Sequence, residues 1–223
     1  EEAFDAGRVN VFPGSAAGVA STAVVTTLAV DAAGTVPHHT DHQMPPDGVL
    51  WANGFGSGDV FRFDLTAPRA PRLAGRFVVD SEYMHPHSFA RLPDGRVLAT
   101  LQMRGHDNAE AGALVELDAE GRVLRTADAA DPDAEPFIRP YSLAVVPALD
   151  RVVTTSADMH VSDKSHVVQV WRLSDLGRVA TVRLPPGPRG DEHVAGGAGT
   201  ACRAVVASGS HGVVPSRNGR SAC

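Results

Sequence analysis

The sequence predicts an all-β fold, a β-propeller of four-stranded blades, and three observations carry that expectation. Short apolar or alternating segments recur between turn residues. Four such segments make a unit, and the units repeat at about fifty residues. No stretch holds a helical period over three turns, so the two-residue alternation of half-buried strands is the ruling signal.

Residues 1–21 form a lead-in, of which 14–21, rich in Gly, Ser and Ala, reads as loop. The first unit is expected at 42–44, 49–54, 60–65 and 72–79. The second falls at 87–92, 96–101, 113–118 and 122–126, and the third at 141–146, 151–156, 167–173 and 178–184. Second strands begin at 49, 97 and 152, and third strands at 60, 113 and 167. Turn signals punctuate them: Pro46-Asp47-Gly48, Gly56-Ser57-Gly58, Pro93-Asp94-Gly95, Glu120-Gly121 and Leu176-Gly177. An antiparallel sandwich is the alternative. The recurring period, with matching third strands at Val60, Ala113 and Val168, favours the propeller. Three blades do not close a ring, because propellers typically have roughly 4–8. The 22–192 body is therefore expected to be part of a longer parent or to assemble with other chains, and the chain by itself to be inactive or unstable.

Composition narrows the function classes. The 223 residues carry 20 basic and 26 acidic side chains, a net charge of −6, with the basic ones dispersed among acids. That balance gives no phosphate-binding stripe and argues against a nucleic-acid partner. No apolar run approaches the ~18 residues of a membrane-spanning helix. Lys164 is the one lysine, the usage of a GC-rich, bacterial coding sequence. The chain begins Glu1-Glu2-Ala3 with no signal-peptide pattern, which leaves a cytoplasmic or periplasmic location open. Residues 193–223 contain no Asp or Glu, where the average density gives about four, and they hold both cysteines, Cys202 and Cys223. This atypical tail reads as a flexible extension or a frameshifted end, and no function is assigned to it. With both cysteines there, neither a disulfide framework nor a cysteine metal site across the fold is expected.

Histidines cluster where the units begin. Aligned on first strands, His87-Ser88-Phe89-Ala90 matches Tyr141-Ser142-Leu143-Ala144, and His39 falls level with His87 and Tyr141. In a propeller such positions ring one mouth of the central channel. Converging neutral imidazoles are ligands for copper, zinc, iron or nickel, and Asp41 or Glu82 is placed to orient a ring through its other nitrogen. The competing reading is that these histidines cap strand ends by hydrogen-bonding loop carbonyls. His106, His160 and His211 read as loop residues. Gly54-Phe55-Gly56-Ser57-Gly58 lacks the following helix of a phosphate cradle and reads as a hairpin loop.

Several blocks, in order, resemble the selenium-binding protein family, whose active members are methanethiol oxidases. They are His38-His39-Thr40; Pro68-Arg69-Ala70-Pro71-Arg72-Leu73; His85-Pro86-His87-Ser88-Phe89-Ala90 with Asp94-Gly95-Arg96-Val97-Leu98; Gly112-Ala113-Leu114-Val115-Glu116-Leu117-Asp118; and Ser165-His166-Val167-Val168-Gln169-Val170-Trp171. The likeness runs over roughly 22–194. It implies a seven-bladed propeller with histidine-bound copper, and an oxidoreductase acting on a sulfur group with O2 as acceptor. A small thiol would be converted to aldehyde, hydrogen sulfide and hydrogen peroxide. The metal ligands it implies are His38 or His39, His87 and His166; His193 begins what resembles a further family block. The selenium-linked cysteine of some members has no counterpart in Thr40-Asp41-His42-Gln43-Met44. The rival readings are a non-catalytic propeller scaffold and a lactonase-type propeller hydrolase. The scarcity of carboxylates at the inner-strand starts counts against the hydrolase.

Overall fold

The computed structural model describes residues 8–11, 26–29, 35, 37, 39–41, 45–67, 70–105, 110–134, 137–157 and 167–185. The 14–21 loop, the 42–44 strand and the 193–223 tail expected from the sequence lie outside the described residues.

Strand β1 (Arg8–Val11) pairs antiparallel with β2 (Thr26–Ala29). Three antiparallel sheets follow, and all are meanders. Blade 1 contains β3 (Val49–Gly54), β4 (Asp59–Asp64) and β5 (Arg72–Val78). Blade 2 contains β6 (Tyr83–Arg91), β7 (Val97–Arg104), β8 (Ala113–Leu117) and β9 (Val123–Asp128). Blade 3 contains β10 (Pro140–Val146), β11 (Arg151–Ser156), β12 (Val167–Arg172) and β13 (Arg178–Arg183). The fold is a β-propeller in blade architecture. Nine of the expected strands end within about two residues of their predicted limits.

Blade 1 differs at its inner edge. An isolated bridge joins Thr40 to Ala52, flanked by Asp41 N donating to Trp51 O and Asn53 N donating to His39 O. Residues 39–41 thus lie along the inner edge of this blade.

The blades repeat in detail. Each third strand carries a β-bulge against its fourth, between Arg62 and Phe63, Glu116 and Leu117, and Val170 and Trp171. Counted from these bulges, Asn53, Thr100 and Thr155 occupy one equivalent place on successive second strands. Blades 2 and 3 also bulge on the first strand. His87 and Ser88 together oppose Thr100, and Tyr141 and Ser142 together oppose Thr155.

Stacking explains why β8 is buried along its whole length. Ala113, Val115 and Leu117 face blade 1 with Trp51, Val60 and Phe89, whereas Leu114 faces blade 3 with Leu143, Val152 and Trp171. A third cluster of Ala52, Phe61 and Phe63 lies on the other face of blade 1. Burying each large apolar side chain contributes about 1.5–3 kcal/mol, so the stability of the blades lies chiefly between sheets. The innermost strand β6 packs beside both β3 and β10, which brings the first-strand residues of the three blades together.

Candidate functional site: a histidine pair at the inner strands

His39, His87 and Tyr141 meet where the three inner strands converge. The rings of His39 and His87 have centroids 4.0 Å apart, and those of His87 and Tyr141 are 3.8 Å apart. The His39 and Tyr141 rings approach edge-on at 5.7 Å. Phe55, in the β3–β4 turn, flanks His87 at 5.9 Å and His85 at 5.2 Å. His87 is fully buried and His39 nearly so. The blade alignment read from the sequence therefore brings together in space side chains 48 and 54 residues apart along the chain.

Main-chain oxygens set the tautomers. His87 Nδ1 lies 2.9 Å from the carbonyl oxygen of Tyr141 and 3.3 Å from Ser88 Oγ. A carbonyl only accepts, so Nδ1 carries the hydrogen, and in the neutral ring Nε2 is the nitrogen with the lone pair. His85 repeats the arrangement, with Nδ1 2.6 Å from Phe55 O. Its φ of 58° places a non-glycine residue in the left-handed region. Backbone strain of this kind clusters at functional sites. The sequence block His85-Pro86-His87 held the one signal that could have selected His85.

The carboxylates named from the sequence are engaged elsewhere. Asp41 Oδ2 accepts from Trp51 N at 2.7 Å, and Arg91 lies 3.4 Å from the same carboxylate. Burial raises the Asp41 pKa, against the lowering effect of the Trp51 amide and of Arg91. Glu82 pairs with Arg104 at 2.6 Å on the surface. The expectation that one of them orients an imidazole is corrected for His87, whose Nδ1 is held by Tyr141 O. The reason is local: Asp41 completes the blade 1 ladder, and Glu82, just before β6, is exposed and paired with Arg104. Burial also raises the Tyr141 phenol above its ordinary pKa. The Gly54–Gly58 segment is a hairpin turn, as expected, closed by Ser57 N and Gly58 N donating to Gly54 O.

Of the four predicted metal ligands, His39 and His87 are brought together. His38 and His166 lie outside the described residues. Among the described residues no group of three or more His, Cys, Asp or Glu side chains gathers as a metal cluster. The pair fits a transition-metal ion as part of a donor set: the rings are adjacent, and His87 presents a nitrogen of the right tautomer.

No family model matches the chain, and no curated protein matches it by sequence. Solved structures do resemble it. A hypothetical selenium-binding protein from Sulfolobus tokodaii aligns with TM-score 0.56 at 14% identity, over 73% of this chain and 41% of that one. Virginiamycin B lyase from Staphylococcus aureus aligns with TM-score 0.52 at 12% identity, over 83% and 51%. A protein from Lactobacillus plantarum aligns with TM-score 0.54 at 16% identity, over 80% and 50%. At these identities the likeness establishes the fold alone. The chain spans about half the length of these structures.

Proposed function

We propose that this chain is part of a propeller oxidoreductase of the selenium-binding protein type, in which His39 and His87, with His38 or His166, hold copper for the oxidation of a small thiol. The observation that carries the reading is the 4.0 Å approach of the His39 and His87 rings from different blades. The tautomer of His87, set by Tyr141 O, supports it, as do the ordered sequence blocks. The structural likeness to a hypothetical selenium-binding protein is compatible with it.

Copper, when bound, supplies the one-electron chemistry with O2 that carbon–sulfur oxidation requires. The overall reaction takes methanethiol, O2 and water to formaldehyde, hydrogen sulfide and hydrogen peroxide. The protein residues do the rest. His87 is fixed through Nδ1, so its ligand nitrogen is presented without a rotameric search. Phe55 and the adjacent Tyr141 ring help keep bulk water from the buried imidazoles.

The test is copper content and thiol turnover of the purified full-length protein of which this chain is part. Wild type should carry about one copper per chain, consume methanethiol and release peroxide, and His87→Ala should lose the metal. Normal copper content in that variant overturns the assignment. A second reading has its own observation, since His85 and His87 both donate to loop or strand carbonyls, as capping histidines do. A wild-type protein that neither binds copper nor consumes thiol would favour this non-catalytic scaffold.

A further inference from the structure

Asn53 is tied to both histidine-bearing strands. Its Oδ1 accepts from His39 N at 2.8 Å, and its own main-chain N donates to His39 O at 2.9 Å. Its Nδ2 donates to Pro86 O at 3.1 Å, and Pro86 is the residue before His87. The side chain is fully buried. One carboxamide therefore grips the backbone of His39 in blade 1 and the backbone next to His87 in blade 2.

The next blade repeats the device. Thr100, in the equivalent place, accepts from Ser88 N at 3.1 Å and donates to Tyr141 O at 2.8 Å. Thr155 accepts from Ser142 N at 3.1 Å. Each of these side chains takes a hydrogen bond from the inner strand of its own blade, and Asn53 and Thr100 give one to the inner strand of the next. The spacing of inner strands is thus set at this position, and in blade 1 that spacing is the separation of His39 from His87.

We propose that Asn53 is a positioning residue that fixes His39 against His87 for joint binding of one copper ion; this rests on the reading of the two histidines as ligands. Metal–imidazole bonds are about 2.0–2.1 Å long, and ligand sets tolerate only about 0.5 Å of misplacement. A blade shift of that size, too small to unfold the protein, is enough to break a shared site.

The test is Cu(II) titration against a chromophoric chelator, with the EPR spectrum of the loaded protein and the unfolding midpoint, for wild type, Asn53→Asp, Asn53→Thr and His87→Ala. Asn53→Asp keeps the size and the acceptor for His39 N but faces Pro86 O with a second acceptor. It should weaken Cu(II) about 10–100-fold, the usual effect of losing a residue that orients a ligand, and alter the copper hyperfine pattern. Asn53→Thr installs the side chain that does the equivalent work at Thr100, and should recover wild-type affinity to within about threefold. Wild-type affinity and spectrum in Asn53→Asp, alongside loss of copper in His87→Ala, overturn the role of Asn53 and leave the ligand reading standing. Equal copper binding by wild type and His87→Ala overturns the ligand reading, and the role of Asn53 with it. If Asn53→Asp does not fold, wild-type copper affinity and spectrum in Asn53→Ala, which removes the side-chain hydrogen bonds to His39 N and Pro86 O, overturn the role.

Discussion

His87 donates from Nδ1 to the main-chain oxygen of Tyr141 at 2.9 Å, and their rings lie tilted at 38° with centroids 3.8 Å apart. The same oxygen accepts from Thr100 Oγ1 at 2.8 Å. Tyr141→Phe keeps both the carbonyl and the ring. Nitrogen-15 NMR should therefore find His87 as the Nδ1–H tautomer in wild type and in Tyr141→Phe alike; an Nε2–H ring in either contradicts the assignment. Thr100→Val removes the hydroxyl and leaves Ser88 N without its acceptor in a buried place. It should lower stability by about 1–3 kcal/mol in urea unfolding.

Gly121 packs one blade against the next. Its φ is +93°, and a Cβ there would stand 2.4 Å from the Phe77 ring of blade 1. Alanine meets two penalties, the left-handed backbone and the clash. Gly121→Ala should cost more than the roughly 1 kcal/mol of an ordinary glycine position, about 2–4 kcal/mol by thermal or urea unfolding. Shortening the ring in Phe77→Leu/Gly121→Ala should recover part of that loss, as coupled neighbours do. Strict additivity of the two changes would remove Phe77 from the explanation.

Most of the blade architecture was legible because its causes are local. Segments such as Arg151–Ser156, with its run of Val and Thr, announce a strand by composition, and Glu120-Gly121 and Asp94-Gly95 announce turns. The repeat then aligned His39 with His87 and Tyr141, since equivalent steps on stacked inner strands converge. What stayed hidden depends on pairing. The bridge of Thr40 to Ala52 at the inner edge of blade 1 is one example, because Asp41 and Asn53 offer hydrogen bonds to that ladder which no periodicity reveals. The group that orients His87 is a main-chain oxygen rather than a carboxylate, and every residue carries such an oxygen, so no sequence marks it. Asn53 and Thr100 were invisible for a similar reason: Asn and Thr look like strand filler until the bulge register places them level.

Asp64 gives the surface its clearest titration. Thr66 donates to its Oδ1 from Oγ1 at 2.6 Å and from N at 2.9 Å, and Arg72 reaches Oδ2. These bonds favour the carboxylate and hold its pKa down to about 2, from an ordinary 3.8. The folded state thus binds fewer protons than the unfolded chain across that interval. The stabilisation is complete above pH 3.8 and is lost as pH falls from 3.8 towards about 2. Asp41 has the opposite sign: its raised pKa makes the folded state the better proton binder just above 3.8, so its contribution declines as pH rises there. Asp64→Asn should flatten the acid-side fall of the unfolding midpoint between about pH 4 and 2. An unchanged slope in that variant assigns the acid sensitivity to other carboxylates.

Glu116 on β8 is the buried charge of blade 2. Its two carboxylate oxygens meet Arg96 and Arg125, and its side chain is fully buried. Arg125 also reaches across to Ser174 O in blade 3 at 2.6 Å, so the carboxylate anchors an inter-blade contact as well as its own sheet. Breaking a fully buried ion pair costs about 3–5 kcal/mol, because the surviving charge is left in a dry interior. Here the arginine side chains are 40% and 32% exposed. They keep access to water when the acid is removed, so that penalty is only partly incurred. Glu116→Gln should therefore cost about 1–3 kcal/mol. Glu116→Leu should cost no more than Glu116→Ala, because Leu fills the volume beside Leu114 and Leu98. The Glu116 carboxylate is fully buried, so raising salt to about 1 M should change the Gln variant's loss less than it weakens the exposed Arg72–Asp64 pair. A loss near 5 kcal/mol would mean the two arginines stay dry in the variant. A loss under about 0.5 kcal/mol would mean the blade faces hold together by apolar packing alone.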